Sequence, residues 1–231
     1  MTITGIRLRR LRLPLDPPFE PAWDPEPRRG FEATLVYVDT DEGLTGVGSG
    51  DTMDGFERFA ELFIGWDPLE IERHVSILET IAFHAGRYWP LEAALWDLAG
   101  KAAEVPVSRL LGGELERVAV YASTGTLLPP EERVVSALAL RSEGFRALKL
   151  RIARDRIEEG LAAVAGVREA VGPDVEIMVD LNQGWCMPGD VEPLLGFEEV
   201  SRLAARLAEL RIAWLEEPLD RDDVAGLSRL R

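Results

Sequence analysis

From about residue 116 onward, strand-like and helix-like patterns succeed one another in strict alternation. VAVYASTG (118–125) alternates apolar residues at period two, and PPEERVVSALALRSEGF (129–145) has a helical period. RALKLRI (146–152) returns to a strand, and DRIEEGLAAVAGVREAVGP (155–173) is helical up to the stop at Gly172 and Pro173. EIMVDLNQ (176–183) and IAWLEEPL (212–219) repeat the strand signal. FEEVSRLAARLAELR (197–211) and DDVAGLSRLR (222–231) repeat the helical one. Parallel strands need crossover connections, so this order dictates a parallel sheet covered by helices. A strand recurs about every 30 residues, as in a (β/α)₈ barrel, and about four such units fit between residue 116 and the end. A closed barrel needs eight units and roughly 250 residues. The expectation is therefore half a barrel over residues 116–231.

The first 115 residues follow another rhythm. ITGIRLRRLRLPL alternates at period two, DPPFEPAWDPEPRRG is a proline-stiffened loop, and FEATLVYVDTDEGLTGVGSG reads as two strands around a turn at Asp41-Glu42-Gly43. The period then becomes helical through Phe56, Phe59 and Phe63, through Val75, Leu78 and Ile81, and through Leu91, Leu95, Leu98 and Ala102. Leu110-Leu111-Gly112-Gly113 supplies a helix stop. The fold class is α/β overall: an α+β module over 1–115, then about four βα units. The glycines of LTGVGSG lack a following phosphate-cradling helix and are read as structural.

Composition excludes several classes of partner. A net charge of −15 and a pI near 4.7 oppose nucleic acid and anionic membranes at long range. No apolar run approaches the roughly 20 residues of a membrane span. The single cysteine, Cys186, excludes an intrachain disulfide, and the N-terminus has no signal-peptide core; a cytoplasmic location is expected. With no histidine near it in sequence, Cys186 reads as an ordinary loop residue.

Strand phase shows where chemistry gathers. Leu148, Leu150 and Ile152 share one face of their strand, and Lys149 and Arg151 share the other. In the next strand Asp180 and Asn182 oppose the apolar side, and Glu216 lies at the end of WLEEP. Active-site side chains of parallel barrels collect at the C-terminal strand ends, so these residues are expected at one mouth. Two carboxylates and a neutral oxygen donor flanked by cations suit a hard divalent cation beside an anionic ligand. The plainer alternative is that Asp180 and Asn182 satisfy loop backbone groups, while Lys149 and Arg151 form internal ion pairs with the acids.

AALWDLAGKAAEVPVSRLLGG (93–113), ALKLR, VDLNQGW and WLEEP, in this order, resemble the mandelate racemase and muconate-lactonizing branch of the enolase superfamily. The resemblance spans essentially the whole chain. It implies an N-terminal capping domain followed by an incomplete (β/α)₈ barrel, and Mg²⁺-dependent abstraction of the proton α to a substrate carboxylate through a metal-stabilised enediolate. It implies Asp180 and Glu216 as metal ligands with Asn182 beside them, Glu217 as a supporting residue, and Lys149 and Arg151 as the catalytic cations. Family members often carry lysine at both positions of the second-strand motif, the second as general base. Arginine effectively never deprotonates, so Arg151 reads as a clamp on substrate. Lys149, if desolvated beside a cation, would have a lowered pKa. The base and the third metal ligand would then lie on strands five to eight, beyond Arg231; His74 and His84 fall in capping-domain helices. Trp23 either lines the substrate pocket or stabilises its own loop.

Acid-sugar dehydration is the favoured reaction, because the Lys149 and Arg151 pair offers extra cationic and hydrogen-bonding groups to a polyhydroxy carboxylate. Racemisation, epimerisation or cycloisomerisation is the alternative. The partner is a small carboxylate, and the full-length form is expected to be a homo-oligomer. Another class of reading makes residues 1–231 a non-catalytic half-barrel whose open strand edges self-associate or recruit a complementing fragment.

Overall fold

In the computed structural model, which describes residues 1–231, the chain divides into two compact units. Met1–Leu15 and Gly30–Arg117 form one; Asp16–Arg29 and Val118–Arg231 form the other. The fold is mixed α/β, and no helix is long and apolar enough to cross a membrane.

A three-stranded sheet in the order β1-β2-β3 organises the first unit: β1 is Ile3–Phe19, β2 Arg28–Thr40 and β3 Thr45–Gly50. Strand β2 pairs antiparallel with β3 from Thr34 opposite Gly50 to Asp39 opposite Thr45. The expected proline-rich loop shortens to residues 20–27, because both flanking strands run into it. Helices α1 (Ile71–His84), α2 (Trp89–Ala103) and α3 (Val107–Leu110) follow, and Pro90 lies in the first turn of α2, where a missing N–H costs nothing. The phenylalanine run at 56–63 forms a 3₁₀ turn over Phe56–Leu62 instead of an α-helix. Phe56 and Phe63 still enter the core beside Ile3, Val36, Val38, Leu91, Leu95 and Leu98.

The glycines of β3 have a packing role. A Cβ on Gly46 would overlap the Ala94 carbonyl oxygen, one on Gly48 the Pro90 carbonyl oxygen, and one on Gly50 would stand 2.6 Å from Pro90 Cγ. Helix α2 thus lies directly on the strand backbone. Val47 N–H donates to Asp97 Oδ2 at 2.7 Å and Lys101 Nζ to the Thr45 carbonyl at 2.7 Å, stitching the same contact.

One ion pair of this unit makes a pH prediction. Arg7 Nε and Nη2 donate to Asp39 Oδ2 and Oδ1 at 2.6 and 2.9 Å, and Thr45 Oγ1 donates to Oδ1 at 2.8 Å. The Arg7 hydrogen bonds, against an opposing push from burial and with help from Thr45, hold the Asp39 carboxyl below the usual range. A lowered folded pKa contributes stability above the unfolded value, near pH 4, and that contribution is lost as pH falls through the folded value. Arg7→Met is expected to flatten the acid limb of melting temperature against pH. A variant with the same acid slope as the parent would contradict this.

In the second unit four parallel strands stand in sequence order, β4-β5-β6-β7. Strand β4 is Ala122–Ser123, β5 Ala147–Arg151, β6 Glu176–Asp180 and β7 Leu215–Glu216. Helices α4 (Pro130–Ser142), α5 (Ile157–Val171), α6 (Phe197–Glu209) and α7 (Val224–Leu230) alternate with them. Leu148, Leu150, Ile152, Ile177, Val179 and Leu181 share one core with Ala137, Leu161, Val164, Val167, Leu203 and Leu207 from the helices. The period-two reading of these faces holds.

Two strands are much shorter than expected. Strand β4 covers two residues of the expected 118–125, with Val118 73% and Val120 67% exposed. It has only β5 as a neighbour, and β5 begins at Ala147, opposite Tyr121, so residues before 121 have no ladder to join. Strand β7 stops at Glu216 because Glu217 adopts φ 45°. Arg168, in the last turn of α5, donates to the carbonyls of Gly172, Val175, Leu210 and Arg211 at 2.7 to 3.0 Å, closing the backbone accounts at the N-terminal ends of β6 and β7.

Candidate active site

Parallel register sets the site. Arg151 pairs with Asp180 and Asp180 with Glu216, so these three residues stand at one level across β5, β6 and β7. Lys149 lies two residues before Arg151, opposite Ser123 of β4. All four follow the parity that points away from the helix-packed core, at the C-terminal strand ends.

Their side chains meet. Lys149 Nζ donates to Glu216 Oε1 at 2.8 Å and lies 3.3 Å from Asp180 Oδ2. Arg151 Nη1 forms an ion pair with the same Asp180 oxygen, and Arg151 Nη2 reaches Ser123 Oγ at 3.4 Å. Lys149 and Asp180 are 7% and 2% exposed, so these charges neutralise one another largely out of water. Burial pushes the Lys149 pKa down, and so does Arg151. The hydrogen bond to Glu216 and the charges of Asp180 and Glu216 outweigh both, leaving Lys149 above the ordinary lysine range. Between these two carboxylates Lys149 is held as a cation. Burial raises the Glu216 pKa, but the hydrogen bonds from Lys149 and Trp214 overcome it and leave Glu216 below its ordinary value.

Asn182 is placed differently. Strand β6 ends at Asp180 and Asn182 has φ 49°, so the alternation that put both on one face does not extend to it. Its backbone N–H donates to Asp180 Oδ1 at 2.8 Å, as in the loop-satisfying alternative. The residue lines an open groove of about 670 Å³ with Trp23, Ala153, Arg154, Asp190 and Leu195. Trp23 also faces the ion cluster, its ring centroid 5.0 Å from the Arg151 guanidinium carbon. His74 is buried in α1, its Nε2 donating to the Asp67 carbonyl at 2.9 Å; His84 ends the same helix, exposed. Cys186 is a free, exposed loop thiol.

Several neighbours escaped the sequence reading. Tyr121 and Trp214 meet edge to face at 5.8 Å, and Lys149 Nζ lies 5.5 Å from the Tyr121 ring centroid. Trp214 Nε1 donates to Glu216 Oε2 at 3.1 Å. Period two places Trp214 on the Glu216 face and Tyr121 on the Ser123 face, so their parity was readable although their contact was not. Gln183 is completely buried. Glu217 accepts from Trp185 Nε1 at 3.1 Å, and its other carboxylate oxygen is buried without a partner.

Whether this donor set suits Mg²⁺ turns on convergence. Two carboxylates from adjacent strands bring oxygens to one cationic nitrogen, Lys149 Nζ, which occupies the point where they meet; their oxygens are the donor type that a hard cation takes. No group of three or more His, Cys, Asp or Glu residues comes together to hold a metal, so the fit extends to two ligands.

The comparisons with known proteins agree with this architecture. Residues 27–112 match the mandelate racemase / muconate lactonizing enzyme N-terminal domain, and residues 132–231 match the enolase C-terminal domain-like family. D-galactarolactone cycloisomerase of Agrobacterium fabrum is 32% identical over 248 residues, an alignment covering 100% of this chain and 62% of that protein. N-succinyl-L-Arg/Lys racemase of Bacillus cereus is 28% identical, covering 100% and 63%. A crystal structure of the dipeptide epimerase from Enterococcus faecalis V583, complexed with Mg and the dipeptide L-Leu-L-Tyr, superimposes with a TM-score of 0.85 at 27% identity, covering 100% of this chain and 65% of that one. Further relatives are acid-sugar dehydratases and cycloisomerases. The chain spans less than two thirds of the length of each of these three proteins. With both of its units matched in order and the motif residues gathered at one set of strand ends, the chain belongs to the mandelate racemase and muconate-lactonizing branch of the enolase superfamily.

Proposed function

We propose that residues 1–231 form a capping domain and the first part of a (β/α)₈ barrel, and carry part of the active site of a Mg²⁺-dependent enzyme. The reaction removes the proton α to a substrate carboxylate, with acid-sugar dehydration the favoured outcome. The observation that carries the reading is the convergence of Asp180 and Glu216 on one cationic point. In this reading Asp180 and Glu216 hold Mg²⁺, and Asn182 braces Asp180 through its backbone N–H or adds a ligand. Bound there, Mg²⁺ would supply the positive charge that makes a carboxylate's α-proton removable.

Lys149 and Arg151 are the groups that hold the anionic substrate. A lysine kept protonated and an arginine that never deprotonates both orient a carboxylate and offset its charge; neither removes a proton in this state. Desolvation of Arg151 beside Trp23 and of Lys149 beside Tyr121 strengthens these contacts. With two carboxylates present, turnover by residues 1–231 alone is expected to be negligible. The acidic composition and single cysteine fit a cytoplasmic enzyme acting on a small carboxylate, and we infer a homo-oligomer for the full-length form.

Racemisation or epimerisation is the second reading. It is favoured by the likeness to the B. cereus racemase and the E. faecalis epimerase, and cycloisomerisation by the A. fabrum relative. A panel of aldonic and aldaric acids, their lactones, and N-acylated amino acids or dipeptides separates these outcomes, assayed with full-length protein with and without Mg²⁺. Mg²⁺-dependent loss of water from an acid sugar is expected. Epimerised amino-acid derivatives with every acid sugar untouched would sink the dehydratase reading.

A further inference from the structure

Both carboxylate-bearing strands end in an uncommon backbone state. Asn182, two residues beyond Asp180, has φ 49°, and Glu217, immediately after Glu216, has φ 45°. Glutamate visits this region at a cost on the order of 1 kcal/mol or more and asparagine more readily, so the turn at Glu217 in particular must be held.

Gln183 touches both. Its backbone N–H donates to the Glu217 carbonyl at 3.1 Å. Its side-chain Nε2 donates to the Pro218 carbonyl at 2.7 Å, and Oε1 accepts from Leu195 N–H at 2.6 Å. The side chain has no exposure to water, and it ties the chain after β7 and the segment leading into α6 to the end of β6. The donor faces a carbonyl and the acceptor faces an N–H, so the amide orientation is determined by its partners. Glutamate would set an acceptor against the Pro218 carbonyl, and asparagine is one methylene short of the span.

We propose that Gln183 is a positioning residue that holds the Asp180 and Glu216 strand ends at the separation a divalent cation needs. The proposal rests on the metal reading above and adds to it the residue that keeps the two ligands in register. Groups that hydrogen-bond metal ligands directly change metal affinity by about 10 to 100-fold when removed, and Gln183, acting one step further out through the strand ends, is set against the lower end of that range.

The test uses Mn²⁺ as the probe, titrated into the full-length protein, which supplies the remaining ligand, and followed by EPR, together with amide hydrogen exchange on the metal-free protein. Gln183→Met keeps length and bulk without either hydrogen bond. Arg168→Met removes a part-buried carbonyl clamp at the opposite end of the same sheet and controls for lost stability alone. Glu216→Gln identifies the ligand-dependent part of the signal. The expected result is an affinity about tenfold weaker in Gln183→Met, with Arg168→Met within about twofold of the parent, and faster exchange of the Gln183 and Leu195 amides while α5 stays protected. Equal weakening in both variants, or none in Gln183→Met, overturns the proposal. If the parent shows no Mn²⁺ signal that Glu216→Gln removes, the metal reading fails on its own. The exchange data then decide: selective loss of protection at Gln183 and Leu195 supports the clamp, and unchanged protection rejects it. Should Gln183→Met not fold, Gln183→Asn, which keeps the amide but is one methylene short of the span, takes its place, with the same outcomes.

Discussion

Asp180→Ala is expected to destabilise the second unit by about 3 to 5 kcal/mol and, on the metal reading proposed above, to abolish divalent-cation binding by the full-length protein. The Asp180 side chain is 3% exposed and accepts two cations, Lys149 and Arg151, whose own side chains are 8% and 7% exposed. Truncation leaves Arg151 without a carboxylate partner, and its Nε already lacks a hydrogen bond. Lys149 keeps only Glu216. Asp180→Asn, which preserves shape and accepting capacity, should lose less stability but bind Mn²⁺ no better than the alanine variant. Urea denaturation and Mn²⁺ titration of both variants check this. An alanine variant as stable as the parent would show that the cluster carries no net stabilisation, as some buried ion groups do not.

Gly48→Val is expected to prevent the first unit from folding cooperatively, or to cost at least about 3 kcal/mol, beyond ordinary overpacking. The added Cβ meets backbone, the Pro90 carbonyl oxygen first and Ala94 N at 2.9 Å, and backbone of a helix cannot rotate away. Helix α2 would have to lift off β3, breaking the Val47 to Asp97 and Lys101 to Thr45 hydrogen bonds. Gly43→Ala is the informative contrast. Gly43 has φ 80° with nothing within 4 Å of a built Cβ, so its alanine variant should lose only the strain of a left-handed residue, on the order of 1 kcal/mol. Thermal unfolding of the two variants would separate the mechanisms. Similar losses would mean that α2 tolerates displacement.

Much of the architecture was legible in the sequence because burial imposes a period. Leu148, Leu150 and Ile152 on one side and Lys149 and Arg151 on the other can be read from alternation alone, and each helix shows its apolar stripe. The ordering of strands followed from the handed, sequential connections of a parallel sheet. The motif residues of the site were legible for the same reason: Asp180 and Glu216 share parity with the polar side of their strands.

Strand length was not legible. Val118 and Val120 alternate as well as any strand residue, yet a ladder extends only as far as its neighbour does, and β5 starts at Ala147. The phenylalanine spacing at 56–63 fits either a 3₁₀ or an α turn, and the structure has the former. Asparagine permits a left-handed backbone without requiring it, and glutamate gives no sign of one, so the turn that rotates Asn182 off the Asp180 face and ends β7 at Glu217 was not legible.

What the amino-acid order determined by itself was the pattern: an α+β unit, an alternating βα unit, and polar residues gathered at the strand ends. Only the tertiary structure decided that Lys149 would be held protonated between Asp180 and Glu216, that Gln183 would join two strand ends, and that α2 would rest on a glycine face. These depend on partners 31 to 67 residues apart in sequence, such as Asp180 and Glu216 about Lys149. Periodicity reports which face of an element is buried, whereas charge pairing and close packing depend on which distant atoms the fold brings within a few ångströms.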